Sequence, residues 1–517
     1  MHDSFKYLIY LLLFVFVFLP IVYLFVSIFF PSFQPANLSS LWNYLIFSFD
    51  SRIDVIFFRT VLFGFFTSII AGGIGLMLAI LLEYTNLSHR NFFKFLLFTP
   101  FLIPPYLFTF SWMGFLGKRG TFTDIIFHNI PLNIYNPFAV ILLLSLSYFP
   151  IAMFIISLGL KNIDSNLIDS GRLSNRKSLM KKITLPLISP HLLIACFFVF
   201  VLAISEYTVP SFLRVNAYSS EIFAQLSAFY DIRRATIFSL PVVVLALFLA
   251  GVIYFYFRNK SFTTISSSSR KKLNFINLSK NQKIISYSFI LLLTLFSLIV
   301  PITMVIIESE LTFFDAVASA KTQIFNSFLT SFSGALVVTL LGFFTYYFFK
   351  KSKSLIALIS FPLAISSPVI GISLINLYNN SPVPVYGTVW MILLGYLLRF
   401  LPFSVFIFSS FFPQISPSIE ESARLSKSSF FKRIYRIVLP LTKGGFLSSF
   451  IIIFILCFGE VGLTQMVTPP GFQTLSMRIE TLMHYANYSH LASLSLFLLS
   501  LIFFVYLIHI WVYRENE

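Results

Sequence analysis

Residues 169–186 read D-S-G-R-L-S-N-R-K-S-L-M-K-K-I-T-L-P, and residues 421–440 read E-S-A-R-L-S-K-S-S-F-F-K-R-I-Y-R-I-V-L-P. Each stretch opens on an acid and two small residues, continues Arg-Leu-Ser, turns basic, and closes on an apolar residue, a spacer and Leu-Pro. They are two polar islands of one design in a chain of 517 residues that is 57% hydrophobic and 11% charged. A soluble protein of this size carries about 25% charged residues. Around the islands, apolar runs of at least about 18 residues recur along the whole chain, the pattern of membrane-spanning helices. The 68 Phe and 24 Tyr suit lipid-facing and interfacial positions.

Twelve spans are expected: 8–30, 57–83, 93–116, 136–160, 187–209, 236–257, 285–307, 326–349, 355–378, 387–411, 441–465 and 490–512. The first follows a single Lys6 and lacks an A-x-A-like cleavage site, so it reads as an uncleaved helix rather than a signal peptide. With the N-terminus in the cytoplasm, Lys6, Arg514 and the segments 84–94, 161–182, 258–284, 350–353 and 424–443 together hold 26 of the 36 basic residues on the inside. That bias satisfies the positive-inside rule and sets both termini and both islands in the cytoplasm. It also accounts for the net charge of +17 without nucleic acid.

The spans repeat as well. Pro186 and Pro440 stand 254 residues apart, as do Glu206 and Glu460; Pro150 and Pro402 are 252 apart, and Pro100 and Pro362 are 262 apart. An even number of helices per half inserts both halves in the same sense, which predicts a pseudo-two-fold axis along the membrane normal and a solute path between the halves. The fold expected is therefore an all-α polytopic membrane protein of two parallel six-helix repeats. Its divisions are a first helix with its external loop (1–56), a first domain (57–257), a basic Ser-rich cytoplasmic linker (258–284), a seventh helix with its loop (285–325) and a second domain (326–512).

Topology explains the charge of the islands but not their pattern. The pattern suits a short amphipathic helical hairpin: small residues (Ser170 and Gly171; Ser422 and Ala423) permit close approach to a partner. Leu173 and Leu425 can pack while Arg172 and Arg424 meet its acids. Pro186 and Pro440 suit the first turn of the following membrane helix, where a missing N–H costs little.

The islands resemble the E-A-A-x3-G-x9-I-x-L-P loop of type I ABC importer permeases, the MetI-like membrane subunits of binding-protein-dependent uptake systems. The second copy keeps the spacing, with Glu421, Ser422 and Ala423, then Lys427 in place of the glycine, and Ile437, Leu439 and Pro440. The first departs further: Asp169 replaces Glu, Gly171 replaces the second Ala, Asn175 takes the glycine position, and the loop is two residues short. Asn tolerates a left-handed turn more readily than Lys. Two such domains fused in one chain resemble the ferric-iron/thiamine permease group, as do T-P-F-L-I-P-P-Y-L-F-T-F-S-W (99–112) and the Glu, Pro-Pro-Gly-Phe-x-Thr-Leu and Met-His-Tyr elements of 458–485.

The resemblance implies that each island is a coupling helix seated in a groove of a cytoplasmic ATPase, two subunits in all, with ATP and Mg held there and no cofactor in this chain. It implies an extracytoplasmic solute-binding protein, a place in the bacterial inner membrane, and ferric iron as the leading substrate. Thiamine, polyamine, phosphonate and other small solutes stand as alternatives. The chain carries no Walker A pattern, no H-E-x-x-H, no G-x-S-x-G and no Rossmann glycine run, so ATP hydrolysis is expected on a partner. An ion-driven secondary transporter or a membrane-embedded transferase would need paired midplane charges or an acidic cluster, and neither is visible.

Glu206 and Glu460, expected at the outer ends of the fifth and eleventh helices, admit two readings: they flank the path and meet a cationic solute, or they cap local structure. Arg399 reads as a partner for a carboxylate or as a snorkelling side chain. His484 reads as an interfacial structural residue. Cys196 and Cys457 read as buried hydrophobes.

Overall fold

The computed structural model describes residues 2–29, 51–117, 133–161, 163, 184–257, 276–309, 312–350, 352, 355, 359, 361–379, 384–412, 419, 429–485 and 487–514. Among these the chain is helical, and the one β-type backbone pairing joins Thr85 and Ile276. In chain order the helices are α1 (residues 2–29), α2 (Ser51–Tyr84), α3 (Arg90–Phe98), α4 (Pro105–Leu116), α5 (Pro137–Lys161), α6 (Leu185–Ser205), α7 (Thr208–Phe212), α8 (Tyr218–Ser227) and α9 (Ile232–Phe257). The second half continues with α10 (residues 280–309), α11 (Phe313–Ser319), α12 (Lys321–Phe349), α13 (Ser367–Asn379), α14 (Trp390–Phe411), α15 (residues 430–441), α16 (Lys443–Phe458), α17 (Gly462–Val467), α18 (Leu475–His484) and α19 (Tyr488–Arg514). Nine helices among the described residues are long and apolar enough to cross a membrane, or eleven if two bent pairs each count as one span.

One packing scheme occurs twice. In the first half α2, α5 and α6 pack mutually, and in the second half α12, α14 and α16 do the same. Where all surfaces are equally apolar, close helix contact depends on small residues rather than on the hydrophobic effect. Gly75 of α2 illustrates this: a Cβ there would lie 2.6 Å from the Met153 backbone nitrogen and 2.7 Å from the Ala152 Cβ. The second half joins its core with hydroxyls, Ser449 Oγ lying 2.8 Å from Ser404 Oγ and 3.2 Å from Thr339 Oγ1.

Sequence order assigns α1 to the first half, but the compact units are composed otherwise. One unit is Ser51–Glu221 with Pro241–Ile307; the other is Met1–Asp50, Ile222–Leu240 and Glu308–Glu517. The opening helix therefore packs with second-half helices, against α13 and α14, and α10 packs with the first half, against α3. The described helix reaches back to Ser51 in α2 and to Lys321 in α12, each ahead of the apolar run and including charged or polar residues such as Arg52, Asp54 and Gln323.

Several expected spans are broken, always at identifiable residues. The third (93–116) bends by 92° between residues 102 and 105. Pro104 and Pro105 each force the residue before them towards extended backbone, and Ile103 (ψ 117°) and Pro104 (ψ 137°) adopt it. The span at 355–378 contains the separate pieces Phe361–Ala364 and Ser367–Asn379. The span at 187–209 stops at Ser205, and that at 441–465 stops at Phe458 before resuming as α17.

Among the described residues three helices carry a complete five-residue wide turn: Phe14–Phe18, Leu295–Ile299 and Ile434–Val438. Each ends two residues before a proline, Pro20, Pro301 or Pro440. The proline ring displaces the carbonyl four residues back, and the turn widens to an i→i−5 bond, as from Leu19 N–H to Phe14 O. Pro186 lies in the first turn of α6, as expected. Pro440 instead continues a helix, and the break falls at Thr442, with a 75° bend to α16.

Candidate functional site

Of the island residues, Asp169, Ser170, Gly171, Arg172, Leu173 and Asn175, and Glu421, Ser422, Ala423, Arg424, Leu425 and Lys427, lie outside the described residues. The structure describes how the islands are rooted. The exit of the second is α15, capped by Ser429, whose hydroxyl oxygen accepts the Lys432 N–H at 3.4 Å. Its buried face is Phe430, Ile434 and Val438, and Lys432, Tyr435 and Arg436 are exposed. Phe430 stacks on Phe348 at 5.9 Å, at the end of α12. Beside it, Lys350 lies 5.6 Å over the ring of Phe412 and 5.8 Å over that of Tyr347.

The first island is rooted by charge and hydrogen bonds. Lys161, the last residue of α5, lies 3.7 Å from Glu83 Oε1, which also meets Lys94 Nζ at 2.8 Å. The Tyr84 hydroxyl donates to the Leu160 carbonyl at 3.2 Å. The end of the linker docks on the same turn: Ile276 N–H donates to Tyr84 O and Leu278 N–H to Asn86 Oδ1, both at 2.9 Å, and Ser88 N–H donates to the Tyr287 hydroxyl at 3.0 Å.

Glu83 is nearly buried and Lys94 is mostly so, whereas the Lys161 side chain is 54% exposed. Glu83→Ala is thus expected to cost about 2 kcal/mol, the worth of a lost charge-assisted hydrogen bond. Lys161→Met is expected to change thermal stability by under about 1 kcal/mol, because its ammonium is solvent-screened. Melting of the purified variants measures both.

The carboxylates 254 residues apart occupy matching positions, just beyond α6 and α16, where each helix breaks. Glu206 Oε1 accepts the Thr208 N–H at 2.9 Å and the Thr208 hydroxyl, and Oε2 lies 3.4 Å from the Tyr148 hydroxyl. Glu460 Oε1 accepts the Leu463 N–H at 3.0 Å, and Oε2 lies 3.0 Å from Arg399 Nε. Both therefore bind the opening of the short helix that follows, which is the capping reading. Arg399 pairs with a carboxylate, one of its two expected roles. His484 Nε2 sits 3.1 Å from Glu480 Oε1, and the other Glu480 oxygen accepts from the Gln465 amide.

Hydrogen bonds that no motif announced hold the returning helices in the same way in both halves. The Tyr218 N–H, opening α8, donates to Thr60 Oγ1 at 2.8 Å. The Leu475 N–H, opening α18, donates to Ser327 Oγ at 2.6 Å. The next residues reach back: Ser219 donates to the Glu206 carbonyl at 2.8 Å and Ser476 to the Phe458 carbonyl at 2.6 Å. The sequence signal was only a hydroxyl residue in the N-terminal part of each helix, Thr60 as the tenth residue of α2 and Ser327 as the seventh of α12.

Comparison with known proteins repeats this two-part division. The family described as "Binding-protein-dependent transport system inner membrane component" matches residues 71–259 and again 334–515. A putative 2-aminoethylphosphonate transport system permease protein of Salmonella typhimurium is 28% identical over 152 residues, 29% of this chain. The match spans 57% of that relative's length. A putative ferric transport system permease protein of Haemophilus influenzae is 22% identical over 482 residues, covering 86% of this chain and 74% of the relative. A ferric transport system permease protein of Actinobacillus pleuropneumoniae is 23% identical, covering 86% of this chain and 68% of the relative.

Proposed function

The chain belongs to the family of binding-protein-dependent transport system inner membrane components, and on that premise we propose that it is the membrane-spanning permease of an ATP-driven importer, with both permease domains in one polypeptide. The observation that carries this reading is the double family match over two halves that build the same three-helix core. Solute arrives on an extracytoplasmic binding protein. Two cytoplasmic ATPase subunits, holding ATP and Mg, receive the islands 169–186 and 421–440. Their closure moves the islands and switches access to the path. The termini and both islands are cytoplasmic by the distribution of Lys and Arg.

Ferric iron is the substrate we favour, because the relatives named for ferric transport align with 86% of the chain. A phosphonate is the second reading, supported by the 28% identity over 152 residues. Glu206 and Glu460 are assigned in this proposal to the translocation pathway, each also holding the helix break in its own half.

The test is co-purification with the co-produced ATPase subunits and uptake of labelled ferric iron, for the wild type and for the Asp169→Lys/Glu421→Lys variant. Wild-type protein is expected to bring down the ATPase and take up iron, and the double variant to lose both. Association and uptake at wild-type level in the double variant would sink the docking claim. Uptake of 2-aminoethylphosphonate but not iron would replace the substrate.

A further inference from the structure

The opening helix α1 does more than cross the membrane. Ile9, Leu13, Val17, Ile21 and Leu24 form a buried stripe along it, each at most 4% exposed, and this stripe seats the helix. Phe5 lies beyond the cytoplasmic end of the stripe and has its own set of partners. Its ring is 5.0 Å from Phe344 and 6.0 Å from Phe348, at the end of α12. It is also 5.7 Å from Phe430 and 6.0 Å from Phe431, at the start of α15. One side chain thus bridges the end of a core helix and the first turn of the segment that leaves the second island. Edge-on and tilted aromatic contacts at these distances have preferred geometries, so the bridge specifies an orientation as well as a contact.

The arrangement has a counterpart. The wide turns of α1 and α10 and the prolines after them, Pro20 and Pro301, stand 281 residues apart. In that register Tyr287 of α10 corresponds to Lys6, the neighbour of Phe5. Tyr287 meets the ring of Phe93 at 5.6 Å and accepts the Ser88 N–H. That turn holds the root of the first island through Tyr84 and Glu83. In the N-terminal part of both α1 and α10 an aromatic side chain thus lies at the root of an island, the two being one residue apart in register. Mere membrane anchoring does not require this.

We propose that Phe5 is a positioning residue for the second island, and that its bridge fixes the angle at which α15 lies against the end of α12. The inference rests on the importer reading, in which that island transmits ATPase closure. Its work is to keep the island in the orientation that converts closure into movement of the core helices. Loss of the bridge leaves a folded permease, since the stripe from Ile9 to Leu24 is untouched, but one that spends more ATP for each solute moved.

The test compares wild type, Phe5→Ala, Phe5→Tyr, Phe431→Ala and the Phe5→Ala/Phe431→Ala double variant, each with its ATPase subunits in lipid vesicles. The readouts are the melting temperature and the ratio of iron taken up to ATP hydrolysed. Each alanine variant is expected to lower that ratio about two- to thirtyfold, the range for residues along a coupling network. Melting should stay near wild type, and Phe5→Tyr should restore the ratio. The double variant should be no worse than the poorer single one, because both remove the same contact. Phe431 is 55% exposed, so its truncation tests the bridge even if Phe5→Ala fails to accumulate. An unchanged ratio in Phe431→Ala, or additive losses in the double variant, would overturn the proposal while leaving the importer reading intact. A wild-type complex with no ATP-dependent uptake of iron or phosphonate removes the importer reading and this proposal together.

Discussion

Replacing Arg399 with leucine is expected to destabilise the protein by roughly 3 kcal/mol or more and to abolish most of its accumulation in the membrane. Arg399 lies midway along α14, a candidate span, and Glu460 sits at the break after α16. Their side chains are 19% and 9% exposed. Without the guanidinium, the Glu460 carboxylate keeps the Leu463 N–H but faces an apolar surround uncompensated by charge. An ionised group so placed is far costlier to strand than the intact pair is to keep. Arg399→Leu/Glu460→Gln should regain most of the loss, because the neutral amide oxygen still accepts the Leu463 N–H. Thermal melting in detergent and the yield of folded protein read the stability. Uptake by the double variant then separates the two readings of Glu460: retained uptake means the carboxylate only holds the break, and lost uptake in a stable variant assigns it to the path.

The second large effect is expected at Gly75. Gly75→Ala should already be poorly tolerated and Gly75→Leu should prevent folding of the first-half core. The new Cβ meets backbone, Met153 N at 2.6 Å and Ala152 C at 2.9 Å, and neither atom moves without separating α2 from α5. Overpacking of this kind costs about 1–3 kcal/mol, and a backbone obstacle belongs at or above the upper end. Gly342→Ala in the second half is the informative contrast. Its obstacle is the Ser404 side chain, so Gly342→Ala/Ser404→Gly should recover part of the loss. Recovery stays incomplete because Ser404 also reaches Ser449. No single change of side chain should rescue Gly75→Ala. Equal rescue at both sites would show that side-chain obstacles, not backbone, set the spacing.

Much of this was legible along the chain. The 254-residue register paired Glu206 with Glu460, although the expected spans ran past both and did not show that a helix breaks at each. Pro186 opens a helix as its sequence suggested, whereas Pro440 continues one, and the bend at Pro104 and Pro105 falls inside a stretch expected to be one span. The kind of discontinuity was not legible. Hydropathy is blind to a 92° bend, since a bent helix and a straight one have the same composition. The wide turns before Pro20, Pro301 and Pro440 depend on where a displaced carbonyl finds its next donor. At Glu206 and Glu460 the sequence offered a path residue or a cap, and the neighbours that make each a cap, Thr208 and Leu463, were in plain view. Tyr148 and Arg399 were not, because they arrive on other helices.

By itself the sequence determined which segments enter the membrane, that they repeat, and which family the two polar islands resemble. Those properties are local: each follows from the preference of a stretch of side chains for lipid or water, or from a spacing. Only the tertiary structure decided partners. It grouped α1 with the second half and α10 with the first, set Phe5 against the island at 430, and paired Arg399 with Glu460. The physical reason is that lipid-soluble helices present surfaces of nearly equal apolarity, so composition does not rank one neighbour above another. The choice falls to shape and to a few hydroxyls and charges that must be satisfied at a distance, and those terms exist only once the helices have met.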